Sequence, residues 1–219
     1  MPRIPAALAA RLDPQSLRSL ERLLEAVEQA LRSVYSYNVE DYRESRGDDA
    51  QLFGFKVWKH LWYAIEQSVL EDSGVAISRV EGSFEIGVGP LRIGVYGLGH
   101  DVSDDIHGCF PDQSPFKRSF GEQNQLVLFS LEALQPVPDA AEYEANSLTI
   151  GHFGNPRDGL VKWYLGAWRS DERERRHWSW VERQDEPQEG LVPLPARPQV
   201  APFDQRPRHD IAIRPRRRA

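Results

Sequence analysis

Fifteen residues, GHDVSDDIHGCFPDQ at positions 99–113, hold two histidines, four aspartates and the one cysteine of the chain. Imidazole and carboxylate together suit zinc, iron or manganese, so His100, Asp101, Asp105 and His107 are candidate metal ligands. Asp101, Ser103, Asp105, His107, Cys109 and Asp112 also follow the 1, 3, 5, 7, 9, 12 spacing of a calcium loop. That match fails where the geometry is strict. Ile106 stands where the sharp turn needs glycine, Pro111 adjoins the last ligand, and that ligand is Asp instead of the longer Glu. A solvated loop between strands draws on the same residue types, and the stretch reads first as such a loop. Asp101, Asp105 and His107 are its weak metal candidates, and no cofactor is expected.

Three further patterns carry chemistry. Lys56, His60, Tyr63 and Gln67 recur at helical spacing with Lys59 beside them. Converging with His100, Asp101, Asp105, His107, His152 and Lys162, they would supply the acid, base and phosphate contacts of a hydrolase acting on nucleic acid, as in a toxin or phage-defence effector. A helix that shows one polar face to water accounts for the same stripe. In GHFGNPRDGLVKWYLGAWR, 151–169, Arg157 sits at a turn. Alternation sends Trp163 and Leu165 to one face, and Lys162, Tyr164 and Trp168 to the other. The same alternation puts Trp178 and Trp180 on one face of the following strand. Indoles on both faces imply that one set lies outside the core, where Trp and Arg anchor interfaces or stack on bases. Finally, Arg214, Arg216, Arg217 and Arg218 could grip phosphate or an acidic protein patch.

The elements that must position these residues follow from periodicity. Asp13-Pro14 reads as a helix start. Leu17, Leu20, Leu24, Val27, Leu31 and Val34 then draw a narrow apolar stripe, predicting a helix over about 14–35. YSYNVEDYRESRGDD, 35–49, reads as a connection. A second helix is expected over about 50–72 with Gly74 just past its end. Leu52, Phe55, Trp58, Leu61, Trp62, Ile65 and Val69 give it a wide apolar face, which predicts that it is the central, deeply buried helix. Beyond Gly74 the period drops to two. Strands are expected around Phe84–Val88 and Leu91–Tyr96, joined at Gly89-Pro90, and over 124–132, 146–153, 159–168 and 175–182. No helix-length segment is read between these strands, which argues against a βαβ unit. The predicted fold is α+β: two N-terminal helices on an antiparallel meander of five to seven strands.

Composition bounds the rest. The 219 residues suit one domain, 1–183, with an appendage from 184 that holds seven prolines and reads as an extended or disordered tail. That tail has seven Arg against five acids, leaving 20 basic and 28 acidic groups on the remainder. An acidic body repels nucleic acid at long range unless its basic groups are clustered, and the tail offers a route for nucleic-acid contact. One cysteine excludes a disulfide framework, and no stretch is apolar enough to span a bilayer, so the cytoplasm is the expected location. Twenty-three Arg against four Lys is the usage of GC-rich, bacterial coding. Walker A, HExxH and GxSxG patterns are absent, and YGLGHDV lacks the third glycine of a dinucleotide loop. The reading is a non-enzymatic accessory protein, regulatory or immunity-like, that docks a protein partner. Its contacts would be Arg157, Trp168, Trp178 and Trp180 together with the arginine tail.

Overall fold

Two aspartates start the helical layer. Asp13 accepts hydrogen bonds from the amides of Gln15 and Ser16 (2.9 and 3.0 Å), and Asp49 from that of Leu52 (2.7 Å). Each satisfies donors that a first helical turn leaves without partners. After a short α1, Ala6–Ala9, these caps open α2, Pro14–Asp41, and α3, Ala50–Val69. The computed structural model describes residues 4–80, 83–101, 103–111, 114–127, 146–170 and 175–185. The tail residues Arg214, Arg216, Arg217 and Arg218 lie outside them.

The helices differ from expectation in three respects. No break occurs at Tyr35: Tyr35 and Asn38 continue the buried stripe of α2, which runs on to Asp41. Helix α3 ends at Val69, and Gly74 is not in a left-handed conformation. Gly74 instead lies so close to α2 that a Cβ there would sit 2.2 Å from Ser19 Oγ. The central helix is α2, whose Leu20, Leu23, Leu24, Val27 and Leu31 are fully buried. Helix α3 buries Phe53, Val57, Leu61, Ile65 and Val69, while Leu52 and Phe55 are exposed and Trp58 and Trp62 half-buried.

Six strands form one sheet in chain order: β1 Val75–Val80, β2 Ser83–Val88, β3 Leu91–Gly99, β4 Ser147–Asn155, β5 Gly159–Ser170 and β6 Arg176–Arg183. The fold is therefore α+β with a mostly antiparallel sheet. One neighbouring pair departs from a pure meander, because β3 and β4 run parallel. Parallel neighbours need a crossover, and α4, Pro115–Val127, lies in that connection, where the sequence suggests a strand over 124–132. Residues 124–127 are helical, and 128–132 lie outside the described residues. The helix is hidden by its weak apolar row, Phe116, Phe120 and then the polar Asn124. Gly121, mid-helix, is a poor helix former but permits close approach, since a Cβ there would meet Trp168 Cζ3 at 2.4 Å.

The sheet thus carries a helical layer on one face and α4 on the other, the latter at β4 and β5. Ile86, Ile93, Leu148, Ile150, Trp163, Leu165 and Trp180 join α2 and α3 in the main core. On the other face Trp168 packs with Phe116 and Phe120 of α4, flanked by Phe110 and Trp178. Asn124 fastens α4 to the sheet: it donates to the carbonyls of Ser147 and Trp168 (2.9 and 2.8 Å) and accepts from Ser147 N (3.0 Å).

Candidate functional site

The sheet tryptophans do not form an outer surface. Register fixes this: Ala167 pairs with Trp180 but Trp168 pairs with Trp178, so β6 carries an extra residue there. A bulge of this kind reverses the alternation and sends the two β6 indoles to opposite faces. Trp180 enters the main core at 7 % exposure and Trp168 lies under α4 at 1 %. Trp178 stacks on Phe110 (5.8 Å between centroids) and donates its indole N–H to the Ile106 carbonyl at 2.8 Å. Trp168 and Trp180 are core residues, and Trp178 fastens a loop; none of the three is a free partner contact. Arg157 does stand exposed on the β4–β5 turn, beside a shallow groove of about 410 Å³ that Arg32, Ser36, Glu40 and Asp158 also line.

The loop after β3 directs its carboxylates at its own backbone. Asp104 accepts from the amides of His100 (2.8 Å) and Asp101 (2.9 Å), Asp101 from that of Ser103 (3.0 Å), and Asp105 from that of His107 (3.0 Å). Those amide bonds hold the Asp104 carboxyl below the usual carboxylate range. Ile106 anchors the segment from below, and Asn155 Nδ2 donates to the His100 carbonyl at 2.8 Å. Among the described residues no three of His, Cys, Asp and Glu come together as an ion-binding group. Burial raises the pKa of the Cys109 thiol, away from the thiolate a nucleophile requires.

The groups proposed for hydrolysis are dispersed. His152 is buried beneath α2, where its Nδ1 lies 2.9 Å from the Tyr35 hydroxyl; desolvation pulls its pKa down to about 4, so it is neutral at pH 7. A neutral imidazole accepts from the tyrosine hydroxyl in one tautomer and donates to it in the other. Lys162 lies on the opposite face, its ammonium against the Asp104 carbonyl and 4.6 Å from the Phe153 ring centre. His60 accepts from Asn38 Nδ2 (3.2 Å) between α2 and α3, and burial and then Lys56 hold its pKa below the ordinary histidine value. Lys56 is itself paired with Asp41 and Asp48. His100, Asp101 and His107 remain on the exposed loop. These side chains do not converge on one reacting centre.

What the structure does bring together is an apolar surface on α3. Phe55 (54 %), Tyr63 (55 %) and Leu70 (65 %) are exposed, with Leu52 beside them; Tyr37 of α2, also exposed, meets His60 of α3 (5.7 Å between ring centres). The patch is continuous with the interior: Phe55 stacks on Trp58 (5.6 Å), Trp58 packs at a tilt against Trp62 (4.2 Å), and Trp62 meets Phe84 of β2 edge-on (4.8 Å). Lys59 lies 5.8 Å from the Phe55 ring, with no carboxylate partner among the described residues. A signal for this surface exists in the sequence. Phe53, Val57, Leu61, Ile65 and Val69 already complete one buried row at four-residue spacing, so Leu52, Phe55, Trp58, Trp62 and Leu70 are a surplus that one face cannot absorb. No known protein family, curated protein or solved structure matches the chain.

Proposed function

We propose that this chain is a non-enzymatic binding protein, an accessory or regulatory component that assembles with a protein partner through the outer face of α3. The observation that carries this reading is the exposure of Phe55, Tyr63 and Leu70 on one well-formed helix. Apolar side chains exposed along one side of a helix mark an interaction surface, and aromatic residues dominate the energetics of such surfaces. The dispersal of the imidazoles and of Lys162 gives hydrolysis no comparable support. A bacterial cytoplasmic setting fits the composition, and no helix among the described residues is long and apolar enough to cross a membrane. The arginines at 214–218 are a second contact in this proposal, suited to an acidic protein patch.

The test is recovery of the tagged full-length chain from its native cells, wild type beside a Phe55→Ser, Tyr63→Ser, Leu70→Ser variant. The wild type is expected in a defined complex larger than one chain, and the variant as a folded monomer. A monomeric wild type, or a complex untouched by the three serines, overturns the reading.

A further inference from the structure

The exposed face of α3 has a pattern that identifies what it fits. Its midpoint falls between Trp62 and Tyr63. Lys59 stands three positions before Trp62, and Glu66 three after Tyr63; Phe55 stands seven before, and Leu70 seven after. On a helix these spacings bring Phe55, Lys59, Trp62, Tyr63, Glu66 and Leu70 onto one side. Leu70, the cap residue, keeps a helical conformation (φ −54°, ψ −32°) and so extends that side. Across these six positions the pattern is the same from both ends in apolarity and opposite in charge: apolar, cation, aromatic centre, anion, apolar.

From this self-complementarity we propose that α3 pairs with α3 of a second copy of this chain, antiparallel about a two-fold axis passing between Trp62 and Tyr63. The proposal rests on the reading of α3 as the docking face, and it names the occupant. In a two-fold interface a residue that meets a given position is met by it in return. Phe55 of each copy therefore faces Leu70 of the other, Lys59 faces Glu66 twice, and the aromatic centre closes on itself. A parallel pairing is disfavoured, because it sets Lys59 against Lys59 and Glu66 against Glu66. The charges are available at the surface. Glu66 binds Arg79 at 2.8 Å but keeps 31 % of its side chain exposed, and Lys59 is exposed without a carboxylate partner among the described residues. From Phe55 to Leu70 the face is about 22 Å long at the rise of an α-helix, four turns of contact for each chain.

The experiment is sedimentation analysis of the purified full-length chain at low salt, with Lys59→Glu and Glu66→Lys variants. Wild type is expected to dimerise, and each variant alone to lose affinity by about tenfold or more, since each sets like charges opposite one another twice. Mixed one to one, the two variants are expected to recover a dimer, because opposite charges then meet at both contacts. At one contact the introduced carboxylate faces the introduced ammonium, and at the other the native Lys59 faces the native Glu66. A monomeric wild type at high concentration overturns the proposal, as does dimerisation indifferent to both substitutions or a mixture no better than its components. Failure here is distinguishable from failure of the docking reading. A native complex that contains a different protein and is lost with the three serines keeps α3 as the docking face and removes the second copy as its occupant.

Discussion

At the scale of single residues, the buried polar groups that suggest chemistry, His152 and Lys162, have been taken up by structure. His152 is the clearest case. An unfolded histidine titrates near 6.5, whereas burial under α2 holds His152 at about 4. Between those values the unfolded chain binds a proton that the folded chain does not. The contribution of His152 is therefore complete above pH 6.5 and is lost as the pH falls through 4, amounting to about 3 kcal/mol. Urea unfolding of wild type and His152→Gln at pH 7 and pH 4 checks this. The drop in stability between the two pH values is expected to be smaller in the variant by about that amount. Equal drops would mean that the imidazole is not desolvated. The sequence displays the histidine but not its burial, because Tyr35, its partner, stands 117 positions away in a segment that reads as a connection.

At the scale of elements, local patterns were legible and cross-strand ones were not. The Asp13 and Asp49 caps, the Gly89 turn with its positive φ of 54°, and the Gly159 turn at 73° all follow from residue type. Two features escaped for physical reasons. Among the described side chains of α4, Phe116 and Phe120 are buried and apolar, while buried Asn124 serves hydrogen bonds and not hydrophobicity. The β6 bulge is a property of pairing with β5, so alternation within β6 alone places Trp178 and Trp180 together when the sheet separates them. The role of Asn124 gives a prediction. Asn124→Ala removes three buried hydrogen bonds, to the Ser147 amide and to the carbonyls of Ser147 and Trp168, and is expected to cost about 2–4 kcal/mol. Hydrogen exchange should rise first in 115–127. Unchanged protection there would show that α4 is held by its aromatic contacts alone.

At the scale of the whole molecule, α2 and α3 cover one face of the sheet, α4 packs on the other at β4 and β5, and the surplus of apolar side chains is displaced onto the outside of α3. Because Phe55, Tyr63 and Leu70 are already more than half exposed, replacing all three by serine is expected to change the unfolding free energy of the dilute, monomeric chain by under about 1.5 kcal/mol. A much larger loss in a denaturant titration would place them in the core. The most direct measurement of the account is hydroxyl-radical footprinting of the full-length chain over a series of concentrations. Phe55, Tyr63 and Leu70 should label heavily in dilute protein and become protected as concentration rises, while Trp168 and Trp180 stay protected throughout. Labelled Trp168 and Trp180 beside a Phe55 and Tyr63 protected at every dilution would contradict it.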